Sequence, residues 1–248
     1  VDSARQEILL LEESMTNTST IFGTSIKINQ TKLFDPDSVW PQNVEVCVTR
    51  VPIRRRDGYS QEFIRGFANK LKGSMVKNGV VFLVCYAPTE AKWRPFEVAK
   101  EMVDAGFTHV DNIVVEKTWL PGKRAENMLV NSHDYVLFFC NGDVWKLDRK
   151  PVKKYSMLEE SVQCIGNTWL VETGSLDEAY SEDLAELLLR TADALPGSSV
   201  FDPFMGNVAS LKACLKLGHS LTGFETDQRK ISQYNKIIQD FKKKGAFG

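Results

Sequence analysis

No apolar run in this 248-residue chain approaches the roughly 20 residues that a membrane-spanning helix requires, which excludes a helical bilayer anchor. Residues 1–20 also lack the basic start, apolar middle and small-residue cleavage site of a secretory leader. The chain opens on Val1 rather than Met, which reads as a trimmed N-terminus that has lost an upstream segment. The three histidines do not cluster with the cysteines, and Cys47, Cys85, Cys140, Cys164 and Cys214 show no zinc-ligand spacing, so no metal site is expected. Cys47, Cys85 and Cys140 lie in apolar runs and read as buried free thiols. That usage suits an intracellular, reducing compartment: cytoplasm, nucleus or organelle matrix. A net charge of −1 excludes the strongly basic surface of an autonomous nucleic-acid binder. There is no internal repeat, no low-complexity tract and no insertion large enough for a separate recognition domain.

What remains is the composition of one soluble α/β domain, with a short polar arm over residues 1–20 and a basic tail over 242–248. Residues 21–33 supply a first strand, 44–49 (Val-Glu-Val-Cys-Val-Thr) a buried one, and 61–77 a helix whose apolar positions are Phe63, Ile64, Phe67, Leu71 and Met75. Lys77-Asn78-Gly79 reads as its stop, before a strand over 80–85. A helix over 95–105 and strands over 110–116 and 135–140 follow. Residues 121–132 and 141–161 are loop-like, the latter carrying Lys146, Arg149, Lys150, Lys153 and Lys154. Strands alternating with helices imply a mostly parallel sheet covered on both faces. Trp119 and Trp169 are read as packing residues, and Lys242-Lys243-Lys244 as a frayed, solvated tail.

The chemistry concentrates near the C-terminus. Val200-Phe201 leads into a turn containing Asp202 and Gly206, then a helix over 209–217 and a strand over 220–224 that ends in Glu225. A glycine between strand and helix lets backbone N–H groups approach a nucleotide-like ligand. An acid about 20 residues on, at the end of the next strand, is placed for ribose hydroxyls.

Asp202-Pro203-Phe204-Met205-Gly206 followed by Glu225 resembles the cofactor motif of S-adenosylmethionine-dependent DNA amino-methyltransferases, written Asp-Pro-Phe-x-Gly-x-Gly. Residues 181–188 look like that family's helix beside the methionine end of the cofactor, and His133-Asp134-Tyr135 resembles its His-Glu-x-(Ile/Val)-Leu signature. The motif order resembles the permuted, beta-class type (N6-adenine or N4-cytosine). A catalytic half (21–140) comes first, a loop region (141–168) next, and a cofactor half (169–241) last. The resemblance implies a Rossmann-like methyltransferase fold, with a mainly parallel seven-stranded-type sheet and helices on both faces. It implies S-adenosylmethionine held by Asp202, Phe204, Gly206, Glu225 and Asp227. Glu225 would face a cleft beside Gly206, and Val208, in place of the second glycine, would narrow the turn and be strained if its φ were positive.

After the strand at 44–49 the family places Ser/Asp/Asn-Pro-Pro-Tyr, whose polar side chain and carbonyl hold the target amine while the ring stacks on a flipped base. This chain has Arg50-Val51-Pro52-Ile53. A guanidinium has no acceptor lone pair, and isoleucine has no π-face. The adjoining Arg54-Arg55-Arg56 suits phosphate contact, or stands as a solvated loop or one pairing with acids of another subunit. Two classes follow. One is a non-catalytic methyltransferase homologue acting as a subunit beside an active partner, or binding nucleic acid. The other is an active DNA methyltransferase with an atypical loop. A nicotinamide-dependent dehydrogenase is disfavoured, because no dehydrogenase catalytic set is present.

Overall fold

The computed structural model describes residues 16–21, 24–30, 38–52, 60–86, 92–116, 132–155, 166–171 and 180–245. In chain order the elements are β1 (Thr16–Ile21), β2 (Thr24–Gln30), β3 (Val44–Arg50), α1 (Gln61–Ser74), β4 (Met75–Cys85), α2 (Arg94–Asp104) and β5 (Thr108–Glu116). Next come β6 (His133–Cys140), β7 (Thr168–Leu170), α3 (Glu182–Thr191), β8 (Ser199–Asp202), α4 (Ala209–Leu217), β9 (Ser220–Glu225) and α5 (Gln228–Gly245).

One nine-stranded sheet has the order β1-β2-β9-β8-β3-β4-β6-β5-β7. Neighbours are parallel from β2 through β9, β8 and β3 to β4, and again between β5 and β7; β1–β2, β4–β6 and β6–β5 are antiparallel. Burial on both faces explains why residues 80–85 of β4 form an unbroken apolar run instead of alternating. One face packs Val46, Val48, Phe82 and Phe138 under α3, α4 and α5, through Leu184, Leu188, Leu211 and Ile231. The other packs Cys47, Val81, Leu83 and Phe139 under α1 and α2, through Phe67, Leu71, Val98 and Met102. Ser60 and Ser181 cap α1 and α3 by accepting from Phe63 N–H (3.2 Å) and Leu184 N–H (3.1 Å).

Several boundaries differ from the sequence reading. α1 ends at Ser74, not 77, and β4 starts at Met75. Lys77-Asn78-Gly79 lies inside that strand as an irregularity: the pairing with β3 shifts register between Val44 and Val46 and Asn78 takes a left-handed φ of 64°. Side-chain Nδ2 of Asn141 donates to the carbonyls of Met75 (3.1 Å) and Val76 (3.0 Å) and satisfies the distorted stretch. The end of the supposed N-terminal arm, from Thr16, is strand, and Lys242 and Lys243 continue α5, where cations suit the negative end of the helix dipole. Trp169 is buried, and its indole N–H donates to the Gly166 carbonyl, as a packing residue should. Cys47, Cys85, Cys140 and Cys214 are buried free thiols. Ile53, Arg54, Arg55, Arg56, Trp119 and Cys164 lie outside the described residues. Among the described residues no helix is long and apolar enough to cross a membrane, and no group of His, Cys, Asp or Glu could hold a metal.

Candidate functional site

The parallel strands β3, β8 and β9 end side by side, which brings Arg50, Asp202 and Glu225 to one edge of the sheet. Carboxyl ends of this kind are where α/β sheets bind ligands. The turn after β8 crosses this edge and enters α4, with Gly206 at φ 42°. Among the described residues a Cβ at Gly206 would meet only the Phe204 carbonyl oxygen, at 3.5 Å, so the turn is open in space there. Val208 has φ −86°, so the strain expected of a β-branched residue is absent; its side chain packs against the core beneath α4.

Asp202 is not a free ligand group. It is fully buried and accepts from Thr49 Oγ1 (2.5 Å), Ser210 Oγ (2.5 Å), the Phe204 N–H (3.1 Å) and Tyr180 Oη (3.3 Å). Burial raises its carboxyl above the ordinary value of 3.8, against the pull of those four donors. The Tyr180 phenol is pushed well up, by burial first and by the Asp202 charge second, so it stays a donor. Asn207 ties the turn to the segment before α3, donating to the Tyr180 carbonyl at 3.0 Å. Asp202 thus organises the turn from inside.

Glu225 was expected to face a cleft beside Gly206. Instead it is 8 % exposed and turned into the junction between β9 and α5. Its Oε1 accepts the N–H groups of Thr226 (2.8 Å) and Asp227 (2.9 Å), and its Oε2 accepts Tyr234 Oη at 3.0 Å. Burial, then the Glu225 charge, raises the Tyr234 phenol, which keeps its proton. Asp227 is exposed and accepts the Arg229 N–H (2.8 Å), capping α5. Phe204 stacks near Phe63 and Phe67, with ring centroids 6.1 and 5.4 Å away.

In the catalytic half, Arg50 ends β3 half-buried, and Val51 is 1 % exposed and donates its N–H to the Val84 carbonyl at 3.1 Å. The ladder therefore holds the chain one residue past the strand. The polar side chain that reaches the turn is Thr49, through its bond to Asp202. Sequence reasoning put Thr49 only in the loop that would meet the acceptor, missing its bond to Asp202, and missed Tyr180, Ser210 and Tyr234. Tyr234 was detectable as part of the stripe Ile231, Tyr234, Ile238 on α5; the other three carry no pattern of their own.

A mostly parallel sheet with helices on both faces, and a glycine turn between β8 and α4, is a Rossmann-like fold of the methyltransferase type. The chain belongs to the DNA methylase family, whose N6/N4 methyltransferase model matches residues 55–236. The crystal structure of M1.HpyAVI is similar with a TM-score of 0.62 at 17 % identity, covering 86 % of this chain and 98 % of that one. Its complex with SAM is similar at 0.61 and 18 %, covering 85 % and 98 %. PvuII DNA methyltransferase (cytosine-N4-specific) is similar at 0.70 and 13 %, covering 88 % and 91 %. No curated protein sequence matches this chain.

Proposed function

We propose that this DNA methylase-family chain binds nucleic acid without transferring methyl groups to exocyclic amines, and serves as the non-catalytic member beside an active partner. The observation that carries the reading is the end of β3. Arg50 stands where the acceptor for the amine is required, Val51 is locked into the core, and Thr49 is committed to Asp202. An amine lone pair engaged with its ring is a poor nucleophile, and transfer needs acceptors that restore its sp³ character together with in-line placement. Arginine supplies donors only. The same guanidinium suits a phosphate, and so would Arg54, Arg55 and Arg56.

The residues fit S-adenosylmethionine at the turn but not at the acid. Gly206 leaves backbone open to a ligand, Phe204 stands two residues before it, and Asp227 is exposed just past the end of β9. An ionised carboxylate has about four acceptor positions. Three of those on Glu225 are already taken, so a ribose diol finds one where it needs two.

The test is methyl transfer from radiolabelled S-adenosylmethionine to mixed-sequence DNA, alongside calorimetric titration with S-adenosylmethionine and S-adenosylhomocysteine. Turnover by the chain alone would sink the proposal. The open turn at Gly206 favours a second reading, an active adenine-N6 or cytosine-N4 methyltransferase with an atypical loop, and that result would establish it.

A further inference from the structure

A second concavity, of about 260 Å³, opens on the α3 face of the sheet, between β5, β7 and the segment 141–155. Its lining spans β4, β6 and β5, two to four strands from β8 in the sheet order and roughly 10–19 Å across at 4.8 Å per strand, so this is not the strand end that carries Gly206. Its floor is aromatic. Phe82 and Phe138 stack with centroids 4.8 Å apart at 22°, and Trp169 stands beside them. At the mouth, Trp145 is 40 % exposed, and Arg149 is exposed with no ion pair among the described residues. Asp111 and Asn167 add polar groups to the lining. Asp111 Oδ1 accepts from Asn112 N–H (2.7 Å) and Asn167 Nδ2 (3.0 Å), which leaves Oδ2 as an acceptor among the described residues.

The segment that supplies Trp145 and Arg149 to the lining is cationic. Lys146, Arg149, Lys150, Lys153 and Lys154 are all exposed, against Asp143 and Asp148 in the same stretch, a local excess of three positive charges on a chain of net charge −1. Buried Val152 pins this turn to the core.

We propose that this concavity is a nucleotide site. One unpaired, amino-bearing base enters against Trp145, its amine donates to Asp111, and Arg149 with the neighbouring lysines of the segment holds phosphate. The volume supports a fragment of this size, since it lies below the roughly 300–1,000 Å³ typical of drug-sized ligands. Aromatic faces beside a cationic track are how single strands are held without duplex readout. The inference stands apart from the carboxyl-end site, because it needs neither cofactor nor transfer.

The experiment is fluorescence anisotropy of the full chain with labelled 12-nucleotide dC, dA and dT strands, competed with free CMP, in the absence of S-adenosylmethionine. The expected result is binding of dC and dA strands ahead of dT. Trp145→Ala should weaken it about tenfold, the cost of one lost base–aromatic stack, while Trp145→Phe retains it. Charge reversal of Arg149, Lys150 and Lys153 to Glu should flatten the salt dependence by about two units of log–log slope. Competition by CMP identifies the natural source as a free nucleotide, and its failure identifies a strand. Equal affinity of Trp145→Ala and the natural chain, indifference between dC and dT, or no binding of either strand or CMP overturns the assignment. Trp145 is a surface residue, so circular dichroism of the variants separates lost contact from lost fold.

Discussion

Thr49 donates its hydroxyl to Asp202 Oδ1 at 2.5 Å across the adjacent ends of β3 and β8, joining residues 153 positions apart in the chain. The bond fastens the last residue before the Arg50 loop to the first residue of the glycine turn. The two halves of the site are therefore one mechanical unit.

Replacing Asp202 by Asn puts an amide N–H₂ among three hydroxyls and a backbone N–H that all point donors at it. Leaving such a buried network half satisfied should cost about 1–3 kcal/mol, read as a fall in the urea midpoint. A loss below 1 kcal/mol would mean that water or a rotated side chain already satisfies those donors.

Glu101 clamps α1 to α2 by accepting from Arg65 Nε (3.0 Å) and Gln61 Nε2 (2.6 Å). The Arg65 bond, then the Gln61 bond, holds its carboxyl below the ordinary 4.5. Its folded pKa is depressed, so its stabilisation is present above about 4.5 and disappears as pH falls through the folded value. Asp202 has the opposite sign. Its raised carboxyl favours the fold below 3.8 and ceases to do so as pH rises through its folded value. The Glu101→Gln variant should therefore lose part of the acid-limb slope in a plot of stability against pH. An unchanged slope would refute the clamp.

Gly223 in β9 lies under the Met205 side chain, and a Cβ added there would overlap Met205 Sδ and Cγ. Gly223→Ala should cost about 1–3 kcal/mol by overpacking, and a second change, Met205→Ala, should recover much of that loss. Simple additivity of the two changes in chemical denaturation would show that the contact does not matter.

Tyr234→Phe removes one of three donors from Glu225. If the turn takes S-adenosylhomocysteine, the variant should bind it about 2- to 12-fold more tightly than the natural chain, the worth of one neutral hydrogen bond. Glu225→Ala should weaken binding by about 1.5–3 kcal/mol. Unchanged affinity in both variants by calorimetry would place the ligand elsewhere.

Burial raises the thiols of Cys47, Cys85, Cys140 and Cys214 above the ordinary 9.0. Thiolate is the reactive form, so these four should stay silent toward a thiol reagent until the chain is denatured. Rapid native labelling at any of them, located by peptide mapping, would contradict their burial.

The elements around the turn were legible because each carried a local signal. β8, α4 and β9 fall where the Asp202–Gly206–Glu225 spacing puts them, and the fold follows from that βα alternation. The end of α1 was misjudged because Asn78-Gly79 has the composition of a helix stop, whereas the strand shift opposite Val44 and Val46 decides its role. The orientation of Glu225 was equally hidden. It depends on a phenol nine positions away on another element, and only packing selects that partner over a cleft. Asp202 looked like a ligand group for the same reason, since its side-chain donors come from β3, α4 and the segment before α3.

The interleaved strand order has a temporal consequence. β2 finds its parallel neighbour only in β9, nearly two hundred positions later, and β3 likewise waits for β8. During synthesis from the N-terminus, the β1–β2 hairpin and one side of β3 therefore remain open edges until the final strands emerge. Such long-range closure folds slowly and leaves unpaired backbone exposed meanwhile. For most of its synthesis this chain carries half a sheet, able to pair with another chain before it can pair with itself.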